Sequence, residues 1–150
     1  MGLNVEFLGQ VFTPKFVVDK MLSLRRNNGN CMEPSCGDGA ISSNIEDVVA
    51  IEYDSRVCPD YAMNMDFFDY DMSNKFNSII GNPPYVKFKD IDKSTKEKLN
   101  MNLFDRRSNL YLFFIEKCIK HLKDNGELIF IVPRDFLKST SSTRSPDIGF

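Results

Sequence analysis

The chain has 150 residues, 19 basic and 21 acidic, for a formal net charge of −2; this length suits one domain. Its 42% apolar and 27% charged content matches a folded globular chain and excludes an intrinsically disordered one. No apolar run approaches the ~20 residues of a membrane span, and no basic start followed by an apolar stretch marks a signal peptide, so a cytoplasmic protein is expected.

In chain order, Thr13 can cap a helix and Pro14 suits its first turn. Phe16, Val17, Met21 and Leu24 make its apolar stripe, and Asn27-Asn28-Gly29 stops it. A short strand at Cys31-Met32 leads into the loop Glu33-Pro34-Ser35-Cys36-Gly37-Asp38-Gly39-Ala40, which should open another helix. Strands are expected at 48–52, before Asp66, and at 78–80. Pro59 interrupts the segment between Asp54 and Met65. A second long helix is expected over 108–122, with Leu110, Phe113, Phe114, Cys118 and Leu122 on one face and Asp124-Asn125-Gly126 ending it. The run 128–132 is apolar throughout, as in a strand covered on both faces. Alternating helices and strands predict a parallel α/β sheet. Residues 139–150, rich in Ser and Thr, read as a disordered tail.

The four cysteines form no Cys-x-x-Cys pair, and His121 has no partner at ligand spacing. No metal site is expected, and the thiols read as small apolar groups.

Three loops carry chemistry. In the first, Gly37 and Gly39 permit unusual dihedrals and close approach of a ligand. The third glycine of a dinucleotide fingerprint is missing, and Glu33 and Asp38 would repel a pyrophosphate. The loop therefore suits a ligand with positive charge, such as the sulfonium and ammonium of S-adenosylmethionine; otherwise it is a plain glycine turn. In the second, Glu52 ends a strand where an acid can accept from ribose hydroxyls, unless it is a surface glutamate. Asp66 could accept from an adenine amino group and Phe67 could cover the ring, unless the pair is a loop acid beside a core aromatic. In the third, Asn82-Pro83-Pro84-Tyr85 follows a strand end. Asn82 offers a side-chain acceptor, the prolines remove two N–H donors, the Pro83 carbonyl offers a second acceptor, and Tyr85 offers a stacking face. Two acceptors and a ring suit an exocyclic amino group on a planar heterocycle. Their bonds would stabilise positive charge developing on that nitrogen during methyl transfer.

Taken together, Asn82-Pro83-Pro84-Tyr85 downstream of 33–39 resembles the NPPY-type, gamma-class N6-adenine DNA methyltransferases of restriction–modification systems, over residues 8–138. Gln10-Val11-Phe12-Thr13-Pro14 resembles motif X, 33–39 motif I, 50–54 motif II, Met65-Asp66-Phe67 motif III, and 109–133 motifs V and VI. The resemblance implies a Rossmann-like methyltransferase fold with a mostly parallel sheet, incomplete at its C-terminal edge. Thr13, Glu33, Ser35, Gly37, Glu52, Asp66 and Phe67 would bind S-adenosylmethionine. Asn82, Pro83 and Tyr85 would hold an adenine flipped out of double-stranded DNA. Residues 83–150 carry thirteen basic and nine acidic side chains against six and twelve in 1–82, so a DNA contact is expected in the second half. The 86–107 loop, with seven basic and four acidic residues, would lie near phosphates unless it is a solvated loop. Family members continue with further strands and a target-recognition domain. The implied reading is therefore a partial catalytic domain over 1–138, from a truncated or split enzyme that needs a recognition domain or subunit. A cofactor-binding remnant without turnover is one alternative. A methyltransferase acting on protein glutamine or on guanine in ribosomal RNA is another.

Overall fold

The computed structural model describes residues 12–134, so Gln10 and Val11 of the motif X resemblance and the 139–150 tail lie outside the described residues. Five strands, β1 (Cys31–Glu33), β2 (Val48–Glu52), β3 (Met63–Asn64), β4 (Phe76–Gly81) and β5 (Leu122–Phe130), form one parallel sheet in the order β3-β2-β1-β4-β5. The central strand β1 pairs with β2 through Cys31↔Val48 and with β4 through Met32↔Ile79. The chain steps outward from β1 to β2 and β3, then returns to the other side of β1 for β4. Parallel sheets bind ligands beyond the carboxyl ends of their strands where the order reverses, which here is between β1 and β4.

Strand alternation sorts the apolar side chains onto two faces. Cys31 and Ile80 point to one face and pack with Val18 and Met21 of helix α1 (Lys15–Leu24) and with Ile41 and Ile45. Met32, Ile51 and Ile79 point to the other face and pack against helix α3 (Leu110–Lys120). Between β4 and α3 lie a 3-10 turn, Phe88–Asp90, and one short α-helix, α2 (Lys93–Lys96). Asn109 caps α3, its side chain accepting from the Tyr111 amide, and every residue from Leu110 to Cys118 is buried. His121 is fully buried, with Nδ1 2.7 Å from the Asn74 carbonyl oxygen. All four cysteines are free, with Cys31, Cys36 and Cys118 buried.

The structure departs from the sequence pattern at several points. Thr13 does not cap α1; Pro14 takes that place with an extended ψ of 150°, and no side chain accepts from the first turn. The buried stripe of α1 is Val18 and Met21, while Phe16 and Leu24 are 77% and 50% exposed. Only one 3-10 turn, Ser42–Asn44, follows the glycine loop where the sequence pattern predicts a helix. Helix α3 is shorter than 108–122, and Leu122 already begins β5. Asp124-Asn125-Gly126 does not end the helix. It forms an irregularity within β5 where Asn125 adopts φ 62° and the register against β4 shifts. Residues 127–132 are half-exposed rather than covered on both faces, because among the described residues β5 lies at the sheet edge and pairs with β4 alone.

Phe113 is 1% exposed and meets Phe104 edge-on with centroids 5.2 Å apart. Phe113→Ala should therefore cost about 3–5 kcal/mol of stability, read as a lower urea midpoint at unchanged m-value.

Candidate active site

The carboxyl ends of β1, β2 and β4 and the segment after β3 surround one cavity of about 110 Å³. Glu33 closes β1 and Glu52 closes β2, each only 2% exposed. Between them the glycine loop turns through positive φ at Gly37 (56°) and Gly39 (89°). A side chain at Gly39 would also collide with the Tyr61 hydroxyl.

Glu52 organises this loop. Its Oε1 accepts from the Gly37 amide at 2.8 Å and its Oε2 from the Asp54 amide at 2.7 Å. The Cys36 amide donates to the Ile51 carbonyl at 2.8 Å, so the loop is tied to β2 through backbone as well. Burial raises the Glu52 pKa, and the amide bonds from Asp54 and Gly37 only partly offset it. Glu33 accepts from the Ser42 amide at 3.0 Å. Burial pushes its pKa well above 4.5, and no cation faces it among the described residues. A buried carboxylate without a cationic partner, set in the wall of a cavity, fits a positively charged ligand group.

Asp66 caps the 3-10 turn Phe67–Asp69, Oδ1 accepting from the Phe68 amide at 2.9 Å. Its Oδ2 accepts from Thr95 Oγ1 at 2.6 Å and lies 3.3 Å from Lys98 Nζ. Phe67 lines the cavity beside Phe114, with ring centroids 5.1 Å apart.

The Asn82-Pro83-Pro84-Tyr85 turn leaves β4 into the same cavity, which Asn82 and Pro84 line. Ser35 Oγ donates to the Asn82 carbonyl at 3.0 Å, joining this turn to the glycine loop. Pro83 is buried and Tyr85 half-buried, and neither lines the cavity. The Tyr85 ring meets Tyr111 edge-on at 5.4 Å and its hydroxyl donates to the Ile131 carbonyl at 2.9 Å; burial raises its pKa to about 12.

The cavity thus brings together Thr13, Glu33, Ser35, Gly37, Glu52, Asp66, Phe67 and Asn82. Sequence reasoning missed Tyr53, Ile91, Thr95 and Phe114 in its wall. Phe114 falls on the apolar helical stripe and reads only as core. Ile91 and Thr95 sit in a charged stretch without a period that would single them out.

Residues 38–146 match the Eco57I restriction-modification methylase family. The chain belongs to this family. It is 33% identical to the Type II methyltransferase M.HincII of Haemophilus influenzae over 148 residues, covering 90% of this chain and 29% of that protein. It is 36% identical over 146 residues to the modification methylase CviBIII of a Paramecium bursaria Chlorella virus, covering 83% of this chain and 37% of that one. The chain therefore spans about a third of the length of these relatives. The fold is similar to a putative class I S-adenosylmethionine-dependent methyltransferase of Listeria monocytogenes, with TM-score 0.63 at 16% identity over 91% of this chain and 53% of that one. It is also similar to a modification subunit of a putative type I restriction enzyme from Vibrio vulnificus, with TM-score 0.58 at 14% identity over 77% of this chain and 31% of that one. Family and fold assign S-adenosylmethionine as the cofactor, and the buried Glu33 carboxyl in the cavity wall, with no cation facing it among the described residues, fits its cationic groups.

The raised pKa of Glu33 sets a pH dependence. Below 4.5 the carboxyl is protonated in both folded and unfolded chains. Between 4.5 and the raised value the unfolded chain releases a proton that the folded chain keeps, so stability falls as pH rises through that window. A cation bound there favours the carboxylate, so cofactor binding should release protons and tighten as pH rises through the same window. Glu33→Gln should remove Glu33's share of both effects, read by calorimetry in buffers of different ionisation enthalpy.

Proposed function

We propose that this chain is the catalytic part of a DNA methyltransferase that acts on N6 of an adenine turned out of the duplex. The observation that carries the reading is the Ser35–Asn82 bond, which fastens the Asn-Pro-Pro-Tyr turn to the loop beside the buried acids. An acceptor turn and a cofactor loop locked together keep acceptor and donor groups at one cavity, where proximity lowers the barrier.

In this reading Thr13, Glu33, Ser35, Gly37, Glu52, Asp66 and Phe67 bind the cofactor, which supplies an electrophilic methyl group when bound. The Asn82 side-chain oxygen and the Pro83 carbonyl accept from the two hydrogens of the adenine amino group. The ring nitrogens of Pro83 and Pro84 offer no competing donor. These bonds favour a tetrahedral nitrogen and stabilise the positive charge that develops on it. Tyr85 provides the stacking face, and its hydroxyl bond to Ile131 fixes the ring. Asp66 already serves Thr95 and Lys98, so an adenine ring of the cofactor would share that carboxylate. Duplex DNA hides the adenine nitrogen, so the base must leave the stack, at a cost of a few kcal/mol.

Transfer of a tritiated methyl group to mixed DNA, RNA and protein tests the reading. Label should enter DNA as N6-methyladenine, and label in RNA or protein alone would overturn it. Asn82→Ala should abolish transfer and leave cofactor affinity nearly unchanged; loss of affinity would mean that this turn belongs to the cofactor site. Tyr85→Ala should impair transfer strongly. Tyr85→Phe should retain transfer and cost about 1 kcal/mol of stability through removal of the bond to Ile131.

A further inference from the structure

Beyond the cavity, Lys87, Phe88, Lys89, Arg106, Arg107 and Asn109 line a second, open concavity. Its two cationic edges come from separate stretches of chain, and a fixed staple joins them. Asn109 Oδ1 accepts from the Val86 amide at 2.9 Å, and the Leu110 amide donates to the Val86 carbonyl at 2.9 Å. The residue that follows Tyr85 is thereby held to the start of α3, which sets Lys87 and Lys89 beside Arg106 and Arg107.

The charge on this cleft is largely uncompensated. Arg107 pairs with Asp105 at 2.7 Å, but Lys87, Lys89 and Arg106 make no ion pair among the described residues. Lys96 adds a further cation, 5.1 Å from the centre of the Phe88 ring. The charged side chains of the cleft are exposed, while Phe88 is half-buried between them. Long, exposed cations spread over two edges do not enclose a single small anion. They suit a chain of repeated phosphates, which binds through charge and counterion release.

We infer that this cleft grips the DNA backbone next to the target nucleotide, with Lys87, Lys89 and Arg106 contacting phosphates while the base reaches the Asn82–Tyr85 turn two residues away. The inference rests on the proposed methyl transfer to DNA and names where that DNA is held. Contacts of this kind position the strand without reading its sequence.

The test is the salt dependence of duplex binding, measured by fluorescence anisotropy with the full chain, S-adenosylmethionine and a mixed-sequence duplex. The double variant Lys87→Gln/Arg106→Gln should bind less tightly at low salt, and its log–log salt slope should be shallower by about 1.8, near 0.9 for each phosphate no longer neutralised. Its cofactor affinity should match wild type, because neither residue lines the cofactor cavity. A control change at exposed Lys20 of α1, Lys20→Gln, should leave the slope unaltered. A double variant with the wild-type slope overturns the inference. So does a wild-type chain that binds cofactor but shows no salt-dependent duplex binding. A wild-type chain that fails to bind the cofactor overturns the underlying functional reading, and this inference with it.

Discussion

The Glu52 carboxylate holds the site in shape. It sits at the end of a central strand, 2% exposed, and its two oxygens take the amides of Gly37 and Asp54. Those amides belong to loops on either side of β2, so one side chain fixes two walls of the cavity. Its charge is costly to bury, as the raised pKa records, and the amide bonds offset only part of that cost. The positive φ of Gly37 and Gly39 is the backbone counterpart of the same constraint: the loop must turn sharply to aim an amide back at β2.

From there the coupling passes outward. The glycine loop reaches the Asn82 turn through Ser35, and the turn reaches α3 through Val86 and Asn109. Asp66 reaches the segment after the turn through Thr95 and Lys98. Tyr53, one residue beyond Glu52, donates to Asp92 in that same segment. The loops around the cavity and the chain that follows the Asn82–Tyr85 turn are therefore one hydrogen-bonded unit. In the proposed reading this arrangement sets the cavity for the methyl donor beside the turn for the acceptor, as a chain of the restriction-modification methylase family would need.

Much of this was legible in the residues. The strand at 48–52 has the bounds expected of it, and the loop residues chosen for their acidity or their glycines converge on one cavity. The reasons are local: strand ends in a parallel sheet face one way, so chemistry-bearing residues placed after strands must meet. The failures are tertiary. Phe16 lies on the helical stripe that periodicity selects, yet the helix docks through Val18 and Met21 and leaves it exposed. The apolar run at 128–132 reads by itself as a doubly covered strand; its position at the edge among the described residues follows from pairing, and only the resemblance, with its sheet incomplete at the C-terminal edge, points to it. The sequence marks Tyr85 for its ring, and the use of its hydroxyl at Ile131 depends on a contact 46 residues away in sequence. The bonds from Glu52 to the glycine loop likewise depend on a backbone path that spacing alone does not give.

The most direct test is a calorimetric titration of S-adenosylmethionine into the wild-type chain and into Glu52→Gln. Glutamine keeps the shape but turns an N–H₂ toward one of two amide donors, leaving that bond unmade. The account predicts saturable binding in the wild type and at least tenfold weaker binding in the variant, the scale of one missing hydrogen bond to a charged acceptor. Equal affinity in a folded Glu52→Gln, or no binding heat in the wild type at high micromolar cofactor, would contradict it.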